Sequence, residues 1–210
     1  MLDEKNTFPK VTVILRGYSY ESIRAVVKQM VGTKLNSVEI TMNTDNAVEI
    51  IKKICDEFQE SILVGAGTVT TLEQAEKVID AGAKFILSPI MLDKKILNYC
   101  KEKEVISVPA AFSPSEIHGM LKDGADVVKV FPAARLTPQY IKDIQAPLGK
   151  MPLMVVGGIN AKNVQEYFDS GATYAGIGSG IFNREDIINC REDRLKESIL
   201  SFERQVDWEG

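Results

Sequence analysis

Short apolar runs alternate with longer amphipathic stretches from one end of the chain to the other. The apolar runs Val11–Leu15, Ser37–Thr41, Leu63–Ala66, Phe85–Ser88, Ile106–Pro109, Val127–Phe131, Leu153–Val156 and Tyr174–Ile177 are predicted strands. Runs of this length, bounded by turn residues, fit strands covered on both faces. Between them apolar residues recur three or four apart, as at Ala47, Ile50, Ile51, Ile54 and Phe58, which is the period of one helix face. Gly82-Ala83, Gly124-Ala125 and Gly171-Ala172 each precede a strand, and a glycine there predicts the end of a helix. Thr44 and Ser113 are predicted N-caps, the latter with Glu116 at capping-box spacing.

Eight strands, seven intervening helices and a C-terminal helix from Glu185 predict an α/β fold, a (β/α)8 TIM barrel. The barrel is expected to be one domain over residues 1–210, with a short N-terminal lead-in and a frayed tail near Asp207–Gly210. The rival is a doubly wound open sheet, which carries a glycine-rich dinucleotide loop after its first strand. Here that place holds Arg16-Gly17-Tyr18, which is not that motif.

Composition narrows the classes of function. The chain has 210 residues, 45% hydrophobic and 26% charged, enough to bury a full core. A net charge of −4 gives no electrostatic footprint for nucleic acid or an anionic membrane. No apolar run approaches the ~20 residues of a membrane span, and the N-terminus has no signal-peptide core. The cytoplasm is the simplest location. Cys55, Cys100 and Cys190 lie far apart without CxxC spacing and read as reduced thiols. The single histidine, His118, falls on a predicted helix surface. One histidine excludes a His-rich metal site, and its place on a helix surface speaks against a Ser-His-Asp triad.

One residue breaks the apolar pattern. In Val127-Val128-Lys129-Val130-Phe131 an ammonium group stands in the middle of a buried strand. Burial disfavours its charged form and lowers its pKa, and a lysine neutral near pH 7 is a nucleophile for a ketone or aldehyde. The alternative is a lysine whose stem is buried and whose head reaches water.

The remaining polar oddities fall where a barrel keeps its chemistry, at the C-terminal ends of strands. Arg16 follows the first strand, Glu39 interrupts the second, Thr68 follows the third and Pro89 ends the fourth. Phe131, two residues from Lys129, shares its face. Gly157-Gly158 and Gly178-Ser179-Gly180 end the last two strands, the loops where barrels bind phosphate through backbone N–H groups. These segments also fit ordinary tight turns. An inward lysine and an inward carboxylate are either a structural ion pair or a Schiff-base lysine with a proton-shuttling partner. The second requires that the pair is not in tight contact, with water or substrate between them.

Three segments, Val38-Glu39-Ile40-Thr41, Gly65-Ala66-Gly67-Thr68-Val69 and Val128-Lys129-Val130-Phe131-Pro132-Ala133, carry a resemblance in their order and spacing. With them the chain resembles the 2-keto-3-deoxy-6-phosphogluconate (KDPG) and 4-hydroxy-2-oxoglutarate (KHG) aldolases, including their 2-dehydro-3-deoxy-6-phosphogalactonate branch. The resemblance implies a homotrimeric barrel that needs no cofactor or metal and cleaves a keto-acid reversibly to pyruvate and an aldehyde. It implies that Lys129 forms the Schiff base and Glu39 moves protons. Arg16 and Thr68 would meet the keto-acid carboxylate and adjacent hydroxyls. Phe131 and Pro89 would wall the pyruvate pocket, and Gly157, Gly158, Gly178 and Ser179 would hold the phosphate of a sugar-acid phosphate.

The chain also departs from the pattern. Asn43 stands where gluconate-type members carry Arg, as in the galactonate branch, while Thr41 stands where that branch has Pro. Ile90 and Ala110 replace the glycine or asparagine and the glycine that follow Pro89 and Pro109 in the family. The substrate-facing rim is therefore mixed and leaves the C4 stereochemistry open: the resemblance implies the gluconate acid or 4-hydroxy-2-oxoglutarate as substrate, with the galactonate epimer as the alternative. A phosphosugar isomerase or epimerase on the same barrel, and a catalytically silent binding barrel, are the rivals from other classes. Loss of activity to a chelator would favour the first, and tight binding without turnover the second.

Overall fold

The computed structural model of the protein describes residues 8–209; most of the expected N-terminal lead-in, residues 1–7, and the last residue, Gly210, lie outside the described residues. The chain runs β1 (Val11–Leu15), α1 (Tyr20–Met30), β2 (Ser37–Thr41), α2 (Ala47–Phe58), β3 (Leu63–Gly67), α3 (Leu72–Asp80) and β4 (Phe85–Leu87). It continues through α4 (Lys94–Glu102), β5 (Ile106–Val108), β6 (Ala110–Ala111), α5 (Pro114–Lys122), β7 (Val128–Val130) and α6 (Thr137–Leu148). Then follow β8 (Leu153–Val156), α7 (Val164–Asp169), β9 (Tyr174–Ile177), α8 (Arg184–Ile188) and α9 (Glu192–Glu203).

All the sheet pairings among these strands are parallel, in the order β5-β4-β3-β2-β1-β9-β8-β7-β6. The two ends of that order are consecutive pieces of one extended segment, split at Pro109, which has no N–H to give to a ladder. On one side of the segment Ser88 N donates to Val108 O (3.1 Å) and Ala110 N to Ile90 O (3.0 Å). On the other, Val127 N donates to Ser107 O (3.2 Å) and Lys129 N to Pro109 O (2.9 Å). The sheet therefore closes into a barrel of eight strand positions, and the open-sheet alternative is excluded. The predicted strand Ile106–Pro109 extends past its proline to Ala111, and the predicted Val127–Phe131 shortens to Val128–Val130.

Alternation along the strands sorts side chains into two cores. Outward residues such as Val13, Val38, Ile40, Val64, Ile86, Val128 and Val155 pack beneath the ring of helices. Inward residues, Ile14, Phe85, Leu87, Val108, Val127, Met154 and Tyr174 among them, fill the barrel with Phe8. Phe8 closes the floor, its ring edge-to-face with Phe85 (5.1 Å) and Tyr174 (5.4 Å). Aromatic pairs in this geometry add to simple burial.

The local signals are partly confirmed. Ser113 and Glu116 form the expected capping box, and Gly82, Gly124 and Gly171 take positive φ where α3, α5 and α7 end. Thr44 is not a helix cap: α2 starts from Asn46. The Thr44 hydroxyl instead accepts from Gly17 N (2.9 Å) and pairs with Thr41 Oγ1 (3.2 Å), which ties the loop after β1 to the end of β2. The single helix expected from Glu185 is two helices, broken where Cys190 adopts φ +49°. The tail is fastened: Asp207 N donates to Gln165 Oε1 (2.8 Å) and Trp208 Nε1 to Glu203 O (2.9 Å). The three cysteines are free thiols, with burial pushing Cys55 up to about 11 and Cys100 to about 12. His118 is exposed on α5. Among the described residues no helix is long and apolar enough to cross a membrane.

Candidate active site

Lys129 lies in the middle of β7, in register with Ala110 on β6 and Met154 on β8. Glu39 lies in the middle of β2, in register with Ile14 on β1 and Gly65 on β3. Each alternates with outward apolar neighbours, so both side chains enter the barrel. Lys129 is 5% exposed and Glu39 1% exposed. Ninety residues apart in sequence, they are electrostatic partners in the fold.

Burial dominates the titration of both. It pushes the Lys129 ammonium below the ordinary lysine range; the Glu39 charge opposes that shift and the Arg16 charge adds to it. Burial likewise pushes Glu39 above the ordinary carboxylate range, against the charges of Lys129 and Arg16. The two shifts converge, so the neutral amine and the neutral acid both become accessible, as a Schiff-base nucleophile and a proton carrier require. The pair is not locked in a bidentate ion pair: Glu39 Oε2 is buried without a hydrogen-bond partner. A buried, unpartnered carboxylate oxygen costs about 1–3 kcal/mol or more, and a substrate hydroxyl in the barrel mouth would supply its partner. Lys129 Nζ stands 4.8 Å from the centroid of the Phe131 ring, whose electron-rich face attracts a cation.

Arg16, just beyond β1, has an exposed side chain. Its Nη1 donates to Asn43 Oδ1 (3.1 Å) and reaches Thr68 Oγ1 (3.5 Å). Three loops, after β1, β2 and β3, thus meet at one guanidinium. Thr68 sits at φ +59°, a left-handed conformation that strains a β-branched residue by about 1–3 kcal/mol and marks functional turns.

Beside this group opens a cavity of about 360 Å³, lined by Arg16, Tyr18, Phe131, Gly157, Gly158, Gly178 and Ser179, with Ile14, Val156, Ile159 and Gly176 deeper in. Gly157 and Gly158 adopt φ +94° and +77°. A Cβ on Gly157 would stand 3.2 Å from the Phe131 ring, and one on Gly158 2.5 Å from Ala134 Cβ. Glycine is needed there for both turn and space. Phe131 joins the two halves, one face toward Lys129 and its edge toward the glycine loops.

The predicted site residues therefore assemble in unequal measure. Lys129, Glu39, Arg16, Thr68 and Phe131 form one group, and Gly157, Gly158, Gly178 and Ser179 line the adjoining cavity. Asn43 joins through Arg16 but lines a neighbouring depression of about 450 Å³ with Tyr18 and Ser19. Pro89 is half-buried after β4, at the same end of the barrel but outside the group that Arg16 gathers. Sequence reading missed Tyr18 and Ile159, which line the cavity; the only signal was position, each lying one or two residues beyond a residue already singled out. Volume does not pick the site, since depressions of about 480 and 540 Å³ elsewhere hold none of these residues. Among the described residues no group of three or more His, Cys, Asp or Glu side chains is arranged to hold a metal ion.

Residues 2–197 match the family model for the KDPG and KHG aldolases. The chain is 29% identical over 194 residues to the 2-dehydro-3-deoxy-6-phosphogalactonate aldolase of Escherichia coli (strain K12), covering 92% of this chain and 94% of that one. It is 34% identical over 171 residues to the 2-dehydro-3-deoxy-phosphogluconate aldolase of Dickeya dadantii (strain 3937), covering 81% and 79%. Among solved structures, the KDPG aldolase of Legionella pneumophila, with pyruvate captured at low pH as a covalent carbinolamine intermediate, superposes with a TM-score of 0.83. It is 27% identical, with 92% of this chain and 94% of that chain covered.

Proposed function

Because the chain belongs to the KDPG and KHG aldolase family and is a Schiff-base aldolase, we propose that Lys129 is its imine-forming lysine and Glu39 its proton carrier. The observation that carries this reading is a lysine 5% exposed, held below its ordinary pKa, facing a buried carboxyl with one unpartnered oxygen.

In the proposed cycle neutral Lys129 attacks the C2 ketone of the substrate, and loss of water from the carbinolamine gives an iminium. Glu39 takes the proton of the C4 hydroxyl. The C3–C4 bond breaks, its electrons moving into the iminium to give an enamine, and the aldehyde leaves. Glu39 returns the proton to C3, and water hydrolyses the imine to pyruvate and free lysine. Arg16 and Thr68 receive the keto-acid carboxylate, and Phe131 and Pro89 wall the pyruvate end. Gly157, Gly158, Gly178 and Ser179 bind the phosphate through N–H groups and a hydroxyl. Fixed donors for two anions and a base held in reach are the protein's contribution to the rate.

The substrate in this reading is KDPG or 4-hydroxy-2-oxoglutarate, giving glyceraldehyde 3-phosphate or glyoxylate beside pyruvate. One observation favours the galactonate epimer as the alternative: the Asn43 amide, not a second guanidinium, holds Arg16. The ratio of kcat/KM for the two epimers decides between them. The barrel is proposed to be the whole catalytic unit and to work in the cytoplasm as a homotrimer. Support for association comes from Ile90, Met91 and Phe112, which are 54%, 42% and 45% exposed on loops joined by the Ala110–Ile90 backbone bond. Exposed apolar side chains grouped in this way mark contact surfaces. Sedimentation of the parent and of I90E tests it, with a smaller species expected for the variant.

Borohydride reduction in the presence of pyruvate, followed by peptide mapping, tests the central assignment. A stable adduct is expected on the peptide carrying Lys129. An adduct elsewhere, or none, returns Lys129 to a structural role.

A further inference from the structure

We infer that Gly67 is the positioning residue for the Glu39 carboxyl, because the side chain it lacks leaves the room that this carboxyl occupies. The inference rests on the aldolase reading of Lys129 and Glu39. Strand β3 turns two glycines into the barrel, Gly65 and Gly67, between the outward residues Val64 and Ala66. The first gives way to an aromatic ring: a Cβ on Gly65 would overlap Phe85. The second gives way to the carboxyl. A Cβ built on Gly67 falls within the Glu39 carboxyl group, overlapping Oε1 and Cδ and lying 2.7 Å from Cγ.

Backbone conformation does not require glycine here. Gly67 is not among the residues with positive φ, and its strand geometry is ordinary: it pairs with Thr41 across β2 and its carbonyl accepts from Met42 N (2.8 Å). An alanine suits the main chain, and the nearest atoms in its way are those of the Glu39 side chain. That carboxyl is not held by hydrogen bonds at Oε2, so packing and the charges of Lys129 and Arg16 fix it. The obstructing atoms belong to a side chain and not to the backbone. Adding a methyl group therefore swings the carboxyl away and leaves the strand intact. A shift of about 1 Å in a reacting group costs on the order of a hundredfold in rate.

The test is G67A made in two backgrounds, the parent and E39A, which removes Cγ and the carboxyl that meet the added methyl group. In the parent, G67A is expected to lower kcat about a hundredfold, with KM and the trapping of pyruvate on Lys129 by borohydride changed less than about threefold. In E39A the same substitution is expected to cost less than about threefold of the residual turnover, since coupled residues lose additivity when one is already removed. G67A within threefold of the parent, or an equal loss in both backgrounds, overturns the inference. A crystal structure of G67A reads the carboxyl directly: displaced from Lys129 it supports the inference, unmoved it overturns it. If G67A does not fold, the G67A/E39A protein is expected to fold, the added methyl group entering the space the glutamate leaves, and failure of both overturns it. Absence of a Lys129 adduct in the parent would instead fail the aldolase reading, while the crystallographic result would still stand for Gly67.

Discussion

The two ends of the barrel interior use the same inward positions of the same strands for opposite purposes. At the floor, Phe8, Phe85 and Tyr174 fill the space edge-to-face, and the buried hydroxyls of Thr12 and Ser37 satisfy each other at 3.1 Å. Two positions further along the same strands stand Ile14 and Glu39, and beyond them Arg16 and the open cavity. There a buried carboxylate oxygen lacks a partner, a lysine is desolvated, and Thr68 sits in a strained conformation. The floor is consistent at every level, while the mouth violates packing, polar satisfaction and backbone preference together. Such a concentration of local conflicts is what a functional site looks like against a stabilising one.

The sharpest way to break the contrast is K129M, which keeps volume and removes the nucleophile. Turnover is expected to fall at least about ten-thousandfold, as when a nucleophile is removed, with the melting temperature retained, because an apolar side chain replaces the ammonium and Glu39, which burial already pushes up and the Lys129 charge no longer holds down, becomes neutral. Activity above that level, or a destabilised protein, would place Lys129 with the floor. Next comes E39Q, expected to slow turnover by about a hundredfold or more while pyruvate is still trapped on Lys129. The Glu39 charge raises the Lys129 pKa, so its removal is expected to move the acid limb of the trapping rate to lower pH. A limb that stays in place would mean that Glu39 is already neutral there.

The floor supplies the converse. F8A removes a ring that is 3% exposed and is expected to cost about 3 kcal/mol in denaturant unfolding, with kcat per folded molecule unchanged. A drop in kcat would show that the two ends are coupled. The smallest expected effect is T12V, which leaves the Ser37 hydroxyl without its partner. About 1 kcal/mol of stability should be lost, again with the kinetics unmoved.

Much of this was legible along the chain because the signals are local. Short apolar runs and a period of three to four marked the strand and helix positions, the Ser113–Glu116 spacing marked a cap, and a lone lysine in an apolar strand marked the candidate nucleophile. Where a signal had two local uses, reading failed. Thr44 has the chemistry of a cap, but its hydroxyl joins the loop after β1. The charged stretch from Glu185 has helical composition throughout, and only a left-handed Cys190 divides it.

The sequence by itself determined the inventory: eight strand positions, an inward lysine, an inward glutamate and glycine turns at the ends of the last strands. Tertiary structure alone decided that the segment around Pro109 bonds on both sides and closes the ring. It decided that Glu39 and Lys129 are electrostatic partners inside the barrel and that Arg16 meets Asn43 and Thr68. It also decided that the second inward glycine of β3 leaves its space to a carboxyl. The reason is physical. Periodicity fixes which way a side chain points within its own element, whereas burial, electrostatic partnership and free space depend on strands that come from distant parts of the chain.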